Sequence, residues 1–274
     1  MSETRIAAGR HKRWYPTSFV GASVMGHAVA AGLVVLRPAT WPWALGALVA
    51  DHAVLTGAGL WPRCSLLGPN LTRLPHAAAA RGEVALTIDD GPDPNVSPLL
   101  LDLLDRHGAK ATFFCIGERV SAQPVLARDI VRRGHAIENH SQRHLRRFSL
   151  LGPRAMAAEI VAAQSSISDV VGIAPRFFRA PAGLRNPFLQ PILARLGLQL
   201  ASWTRRGFDT VTGRPAVVLE RLVHDLGAGD ILLLHDGHAA RNANGQPVVL
   251  EVLPALLDQL AMHHLRPVIL GDAL

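Results

Sequence analysis

The chain has 274 residues, of which 49% are hydrophobic and 18% charged, so it can form one large domain or two small ones. Its two cysteines, Cys64 and Cys115, lie far apart in the sequence, which excludes a disulfide framework and a C-x-x-C metal site. The net charge of +7 favours anionic partners. Because aromatic residues are few and no nucleic-acid-binding motif occurs, we expect no nucleic acid partner and favour an anionic membrane or glycolipid.

The N-terminal part of the chain is largely apolar after a basic start. Residues 1–17 are predicted to form a basic N-terminal tail. From Ser18 to Leu36 there is no Asp, Glu, Lys or Arg, and a helix of this length extends about 28 Å, enough to cross the hydrocarbon core of a bilayer. A second apolar run, from Trp41 to Trp61, carries two polar residues near its middle. We therefore predict a transmembrane helical hairpin over residues 18–61.

Two other interpretations of this region stay open. A cleaved signal peptide fits the basic start, but the apolar part is long and no small-x-small cleavage site follows it. A soluble helical cap on the following domain would explain the polar Asp51 and His52 without cost. The hairpin is favoured because tryptophans lie at both ends of the second run, where interfacial aromatic residues belong. In the hairpin, His27, Asp51 and His52 are expected to form contacts between helices rather than a transport path.

The distribution of basic residues predicts the side of the membrane on which the following domain lies. Four precede the first apolar segment, one lies between the two segments and three follow the second: Arg5, Arg10, Lys12 and Arg13; Arg37; Arg63, Arg73 and Arg81. The positive-inside bias places both the N-terminus and the C-terminal domain on the cytoplasmic side of the inner membrane. A signal peptide or a single anchor would instead place the domain in the periplasm or outside the cell.

The remainder of the chain divides into a linker and a domain. Residues 62–81 are punctuated by Pro and Gly and are predicted to be a linker, so the domain is expected over residues 82–274. Its strand candidates are 83–89, 110–116, 135–139, 176–180, 198–203, 230–235 and 266–270, and the amphipathic stretches between them are 97–107, 118–133, 153–170, 187–196, 215–226 and 248–263. This alternation predicts an α/β fold, a distorted seven-stranded (β/α) barrel with parallel strands inside and helices outside.

The first predicted strand ends in two adjacent carboxylates, Asp89 and Asp90, followed by a Gly-Pro turn. Two acids at the end of a buried strand repel each other unless a positive group lies beside them. A metal ion is the natural candidate for that group. The other ligands should then come from neighbouring strand ends, because the functional residues of α/β barrels lie at the C-terminal ends of the strands.

Other predicted strands end in side chains suited to this chemistry. The third is followed by His140 and His144, which one turn of helix would place on the same face. Two histidines and one carboxylate leave the open positions of a catalytic rather than a structural zinc site. Further along the chain, strand ends carry Arg179, Trp203 followed by Asp209, and His235. A lone histidine is more commonly an ordinary hydrogen-bonded residue. The prediction of a catalytic metal site therefore depends on the convergence of these residues at one edge of the sheet.

These motifs together resemble the polysaccharide deacetylase family, which is also known as the NodB-homology domain or carbohydrate esterase family 4. The family motifs T-F-D-D-G-P, H-[ST]-x-x-H, R-x-P and L-x-H are similar to Thr87-Ile88-Asp89-Asp90-Gly91-Pro92, His140-Ser141-Gln142-Arg143-His144, Arg179-Ala180-Pro181 and Leu233-Leu234-His235. The resemblance covers about residues 82–274 and does not include the N-terminal hairpin.

The resemblance implies a role for each matching residue. Asp90, His140 and His144 are expected to bind one divalent metal ion, usually Zn²⁺, with Co²⁺, Mn²⁺ or Ni²⁺ as alternatives. Asp89 looks like the general base and His235 like the general acid, while Arg179 is expected to orient Asp89. The implied reaction removes an N-acetyl or other short acyl group from an amino sugar of a polysaccharide or lipid-linked glycan. An O-acetyl esterase on the same metal centre and an inactive carbohydrate-binding domain are the alternatives.

The sequence departs from the family pattern in two places, which leaves specificity for chitin or peptidoglycan open. Ala182 stands where the family often has an aromatic residue, and the fourth family motif is not legible in residues 203–209. Asp209 is the candidate for the carboxylate that steadies His235, with a simple loop acid as the alternative. Pro181 and Trp203 are predicted to contact the substrate. Arg205 and Arg206 either face solvent or receive an anionic group of the substrate.

Overall fold

The computed structural model describes residues 14–274, so most of the predicted basic tail, residues 1–13, lies outside the described residues. Two long helices open the described chain: α1 (Ser18–Leu36) and α2 (Trp41–Leu60), joined by a short 3₁₀ turn. The side chain of Thr17 caps α1 by accepting a hydrogen bond from the backbone N–H of Val20 at 3.2 Å. Both helices are long and apolar enough to cross a membrane by length and composition alone.

Polar contacts hold the two helices together as a hairpin. The Ser23 hydroxyl donates to Asp51 Oδ2 at 2.7 Å, and the Nε2 atoms of His27 and His52 lie 3.3 Å apart. The expected helix–helix contacts of His27, Asp51 and His52 are therefore present. Few residues of the hairpin are buried; those that are buried are Ser23, Ala30, Ala58 and Gly59. The apolar surface of the hairpin consequently faces outward rather than into the core of the domain.

The predicted linker packs along the sheet of the domain. It contains the short helix α3 (His76–Ala80). The backbone of Leu71 receives a hydrogen bond from Ser202 at 2.8 Å and donates one to Leu200 at 2.9 Å. Leu74 donates to the carbonyl of Gly229 at 2.8 Å. These bonds fasten the segment between the hairpin and the first strand to the domain.

A parallel sheet forms the centre of the domain. Its strands are β1 (Glu83–Asp89), β2 (Thr112–Cys115), β3 (Ala136–Asn139), β4 (Phe177–Phe178), β5 (Gln199–Leu200), β6 (Arg205–Arg206), β7 (Ile231–His235) and β8 (Arg266–Val268). The order is β5-β4-β3-β2-β1-β7-β6, with β8 also paired to β1. All seven predicted strands occur, so the predicted α/β fold is confirmed. The sheet is a curled half-barrel, because among the described strands β5 and β6 at its two ends do not pair.

Helices cover the sheet from outside. They are α4 (Ser97–Arg106), α5 (Gly117–Ala122), α6 (Pro124–Arg132), α7 (Pro153–Val171), α8 (Leu189–Leu196), α9 (Pro215–Val223) and α10 (Val249–Met262). The stretch predicted as one helix over 118–133 is two helices, because Pro124 cannot donate a backbone hydrogen bond and starts a new helix instead.

Strand β1 lies at the centre of the core. All seven of its residues are buried, and Val84, Leu86 and Ile88 belong to the largest hydrophobic cluster. Burial of each such side chain contributes about 1.5–3 kcal/mol. The strand pairs with β2 on one side and with β7 on the other, where Asp89 lies beside His235 in register. The fold thus fixes the predicted acid and base of the site on neighbouring strands.

Candidate metal centre and acid–base groups

The turn that follows β1 leaves no space for a side chain at Gly91. A Cβ atom added at this glycine would lie 2.3 Å from Oδ2 of Asp236, which is buried beneath the turn. The backbone of the preceding Asp90 adopts a left-handed conformation with φ of 77°. The Asp-Asp-Gly sequence therefore folds tightly, and both carboxylates emerge at the C-terminal edge of the sheet.

Asp90, His140 and His144 converge at this edge. One ligand atom from each residue lies within 4.8 Å of the others. Asp90 Oδ1 is 3.3 Å from His140 Nε2 and 3.2 Å from His144 Nε2. This oxygen is buried and accepts no hydrogen bond within residues 14–274. A buried carboxylate oxygen facing two imidazole nitrogens fits a divalent cation such as zinc, which takes this donor set.

Each histidine of this group can present a lone pair to a cation. His140 Nδ1 lies 2.8 Å from the carbonyl oxygen of Arg179, which can accept a hydrogen bond from a protonated Nδ1 and so leave the lone pair of Nε2 for the cation. Burial lowers the pKa of His144 to about 4, and the charge of His140 acts in the same direction. Burial also lowers the pKa of His140, but the carboxylates of Asp89 and Asp90 outweigh it and the net pKa is raised. The carboxylates thus favour positive charge at this point.

The segment from 140 to 144 is a loop, so the predicted helical turn is wrong. Ser141 and His144 have φ values of 65° and 50°, which a right-handed helix does not allow. The Asn139 side chain accepts a hydrogen bond from the N–H of Ser141 at 2.9 Å, and the Ser141 hydroxyl accepts one from the N–H of His144 at 3.1 Å. These bonds fold the loop so that the two imidazole centroids lie 4.8 Å apart.

Arg179 holds Asp89 in one orientation through a direct hydrogen bond. Its Nη1 donates to Asp89 Oδ1 at 2.6 Å and to the Thr87 hydroxyl at 2.8 Å. The guanidinium lies 4.0 Å from the ring centroid of Phe114 and is almost completely buried. Its Nη2 donates to the carbonyl of Ser202 at 2.9 Å. Asp89 therefore keeps one oxygen on Arg179, while its Oδ2 lies 3.9 Å from His140 Nε2.

His235 is paired with Asp209. Its Nδ1 lies 2.8 Å from Asp209 Oδ1, and its backbone N–H donates to Asp209 Oδ2 at 2.7 Å. Burial lowers the pKa of His235, but the negative charge of Asp209 outweighs this and raises the pKa above its ordinary value. The contact makes Asp209 a partner of the imidazole rather than a simple loop acid. Because Nδ1 of His235 is engaged by Asp209, Nε2 is the ring nitrogen that can exchange a proton in the cavity.

Two residues beside the candidate metal centre, His238 and Asp236, were not predicted from the sequence. His238 Nδ1 lies 2.8 Å from Asp90 Oδ2, the oxygen that does not face the other two histidines. Burial raises the pKa of Asp236 to about 7, and the carboxyl is hydrogen-bonded to the hydroxyl of Ser97. The sequence signal for both is the short run His-Asp-Gly-His, which begins at the last residue of β7; only its first histidine was given a role in the prediction.

Two cavities meet at the site. The first, of about 400 Å³, is lined by His235, His238 and the candidate metal-binding group, which consists of Asp90, His140 and His144. The second, of about 910 Å³, is lined in part by Trp203. Pro181 is buried and begins a 3₁₀ turn, so its predicted contact with the substrate stays a prediction. The next residue, Ala182, lines both cavities.

Comparisons with known proteins identify the family. A family model described as polysaccharide deacetylase matches residues 76–201. The chain is 33% identical over 178 residues to a peptidoglycan-N-acetylglucosamine deacetylase of Bacillus cereus, which covers 64% of this chain and 82% of that protein. The chain belongs to the polysaccharide deacetylase family. It is also 36% identical over 158 residues to a chitooligosaccharide deacetylase of Bradyrhizobium sp., covering 57% of this chain and 71% of that protein.

A solved structure of the polysaccharide deacetylase family agrees with this assignment. A family 4 carbohydrate esterase from Streptomyces lividans in complex with acetate has a TM-score of 0.61 and 31% identity, covering 68% of this chain and 91% of that one. The predicted family is therefore confirmed. The family model ends at residue 201, so it includes Asp89 and the metal-binding group but not Asp209 or His235. The pairing of Asp209 with His235 is seen in the geometry.

Proposed function

We propose that this protein is a metal-dependent hydrolase that removes an N-acetyl or other short acyl group from an amino sugar of a polysaccharide or lipid-linked glycan. One observation carries the proposal: an Asp-His-His group, of which Asp90 and His140 are buried and His144 is half-buried, lies in the same cavity as His235, and Asp89 precedes its carboxylate in the sequence. Relatives named as deacetylases of peptidoglycan N-acetylglucosamine and of chitooligosaccharides support the choice of an amino sugar.

Asp90, His140 and His144 would hold the metal ion, and zinc is the ion best matched to these donors. When bound, a divalent cation supplies Lewis acidity, which makes a water molecule more acidic and polarises the acyl carbonyl. His238 would act from outside this group by keeping Asp90 Oδ2 engaged at 2.8 Å, so that Oδ1 is directed toward the two histidines.

Asp89 would accept one proton in the reaction and His235 would donate another. Asp89 would act as the general base: Arg179 fixes its Oδ1, and its second oxygen stays available to take a proton from the attacking water. His235 would act as the general acid. Because an amine leaves poorly unless it is protonated, Nε2 of His235 would give its proton to the leaving nitrogen while Asp209 stabilises the imidazolium. Positioned groups of this kind contribute about 10²–10⁴-fold each to the rate.

We also propose that the hairpin over residues 18–61 spans the inner membrane and leaves the N-terminus and the catalytic domain in the cytoplasm. The length and apolar character of α1 and α2 support a spanning hairpin. The distribution of basic residues supports the orientation. An alkaline phosphatase fused after residue 75 should be inactive in cells. Activity of that fusion would place the domain in the periplasm or outside the cell.

Acetate release from chitotetraose by the purified full-length protein tests the proposed reaction. Dialysis against a chelator should abolish the release, and added zinc or cobalt should restore it. Release that persists without metal would refute the mechanism. An esterase would instead release acetate from an O-acetylated sugar alone, and His235→Ala would affect it less, because an alkoxide needs less help than an amine in leaving.

A further inference from the structure

The larger cavity forms a groove between the end of α2 and the proposed catalytic site. Ala182 and Arg206 line this groove and also line the smaller cavity that contains Asp90, His140 and His144, so the two cavities adjoin. At its other end the groove is lined by Leu60 and Trp61, the last residue of α2 and the residue after it. A ligand in the groove would therefore extend from the helical hairpin to the site of hydrolysis.

The groove contains arginines that no carboxylate neutralises. Arg63, Arg206 and Arg221 line it, and none of the three forms an ion pair with a carboxylate within residues 14–274. By contrast, Arg205 is neutralised by Asp230 at 3.1 Å. Glu220 is the one acidic side chain in the lining. The groove thus has an excess of positive charge.

Arg206 is the central residue of this group. Its guanidinium lies 5.5 Å from the ring centroid of Trp203 and 4.9 Å from that of Phe208, and its Nε is buried with no hydrogen-bond partner within the described residues. Arg221 also lies near Phe208, with its guanidinium 5.4 Å from the centroid of the same ring. A buried guanidinium nitrogen without an acceptor is costly unless a ligand supplies one. An anionic group is the acceptor that guanidinium groups bind most strongly.

The end of the hairpin is fixed beside the groove. The carbonyl of Gly59 accepts a hydrogen bond from the backbone N–H of Arg185 at 3.1 Å, and the carbonyl of Pro62 accepts one from the Ser202 hydroxyl at 2.7 Å. A Cβ atom at Gly59 would lie 2.3 Å from the Arg185 carbonyl oxygen, so the two backbones are in close contact. Trp61 is 62% exposed at this junction, as an interfacial tryptophan would be.

We propose that the groove binds the phosphate of a lipid-linked substrate, in which the acylated amino sugar is joined through a phosphate ester to an apolar chain. This inference rests on the proposed function and names its substrate class. Arg63, Arg206 and Arg221 bind the phosphate, and the apolar chain leaves past Trp61 toward the hairpin. The acylamido group reaches the Asp90 side of the site through the opening beside Ala182. Arg63 and Arg221 each donate to a backbone carbonyl, that of Thr204 at 3.3 Å and that of Gly207 at 3.5 Å, but these neutral acceptors do not balance the positive charge. A neutral glycan would bind aromatic side chains but would leave the three arginines without a negative counter-charge.

Binding of three synthetic probes to the full-length protein in dodecyl maltoside micelles tests this proposal. The probes are N-acetylglucosaminyl dodecyl phosphate, the neutral dodecyl N-acetylglucosaminide, and the soluble N-acetylglucosamine 1-phosphate, each titrated by calorimetry. The wild type should bind the phosphate amphiphile about 1,000-fold more tightly than the neutral one, because three arginines contact the phosphate and each charge-assisted contact is worth about tenfold. Soluble sugar phosphate that binds as tightly as the amphiphile would overturn the lipid part of the proposal.

Substitutions of single arginines test which side chains bind the phosphate. Arg206→Ala and Arg221→Ala should each weaken binding of the phosphate amphiphile about tenfold and change binding of the neutral amphiphile less than twofold. Arg221 and Arg63 are exposed, so Arg63→Ala and Arg221→Ala remain informative even where Arg206→Ala destabilises the fold. Arg106→Ala, an exposed arginine at the end of α4, is the matched control and should behave as the wild type. Equal affinity for the charged and neutral amphiphiles would overturn the proposal.

Acetate release from chitotetraose, measured in parallel, separates the two proposals. Release from chitotetraose without any preference for the phosphate probe supports the hydrolase and overturns the lipid-phosphate substrate. A phosphate preference that Arg206→Ala removes, with no acetate released from any probe, supports binding in the groove and overturns the hydrolytic function.

Discussion

Replacement of Asp209 by asparagine should change the pH dependence of the reaction more than its maximal rate. Asp209 is fully buried, and its Oδ1 lies 2.8 Å from Nδ1 of His235. Its negative charge is what raises the pKa of His235 against the effect of burial. The substituted amide keeps the shape and an acceptor oxygen for the His235 backbone N–H but removes the charge. Burial then dominates, and the pKa of His235 falls.

The magnitude follows from the geometry. A hydrogen bond to a charged group contributes about 1.5–3 kcal/mol, so loss of the Asp209 charge should weaken the protonated form of His235 by about 10–100-fold. A general acid works in its protonated form, which exists below its pKa, so the alkaline limb of kcat should move toward lower pH. On the alkaline side of that limb, kcat should fall by about 10–100-fold.

The assay is acetate release from chitotetraose by the zinc-loaded enzyme, measured across the pH range. Asp258→Asn is the control, because Asp258 is an exposed acid of α10 that pairs loosely with His107 at 3.7 Å. Thermal unfolding of each variant checks that the fold is retained. A uniform loss of kcat in Asp209→Asn, with the alkaline limb unmoved, would refute the role of Asp209 in setting the pKa of His235.

Three further predictions concern the turn after β1 and its metal-binding neighbours. Asp89→Asn should keep zinc, measured by elemental analysis, yet lose at least about 10²-fold in kcat; loss of zinc would show that the roles of the two acids are reversed. His238→Ala should weaken zinc binding about 10–100-fold in a competition assay with a chelator, because the second oxygen of Asp90 loses its partner. Gly91→Ala should lower the free energy of unfolding in urea by about 1–3 kcal/mol, because its Cβ would meet the Asp236 carboxylate.

Matched substitutions accompany the last two predictions. His263→Ala removes an exposed histidine after α10 and should leave zinc affinity unchanged. Gly152→Ala places a Cβ in open space and should leave the unfolding curve within about 0.5 kcal/mol of the wild type. Zinc affinity of His238→Ala equal to that of His263→Ala would contradict the positioning role of His238. An equal effect of the two glycine substitutions would contradict the close contact at Gly91.

The central strands and the main site residues could be predicted because each carries a local pattern. β1 is a short apolar run that ends in two acids, and a parallel sheet necessarily brings such strand ends to one edge. The 140–144 loop could not be predicted, because its left-handed residues, Ser141 and His144, leave no trace in hydrophobic periodicity. The spacing of four between the histidines is equally compatible with a helix and with this loop.

Other features depend on contacts between distant parts of the chain. His238 meets Asp90 across 148 positions, and Asp209 meets His235 across 26, so neither pairing has a local signal. The strand β6 is two arginines long, too short to show alternation. It forms because β7 offers a free edge there, with Arg205 beside Leu232 and Arg206 beside Leu233 in register.

The hydrogen bonds that join the end of α2 to the domain also set how far the enzyme can reach. Arg185 and Ser202 donate hydrogen bonds to the carbonyls of Gly59 and Pro62. These bonds hold the proposed catalytic cavity in a fixed position relative to the end of α2. If α2 spans the bilayer, the cavity is held at one height above the lipid headgroups. Such an enzyme would act on the first sugars beyond the membrane surface and leave the distal residues of a long polymer untouched, a selection made by distance rather than by sugar chemistry.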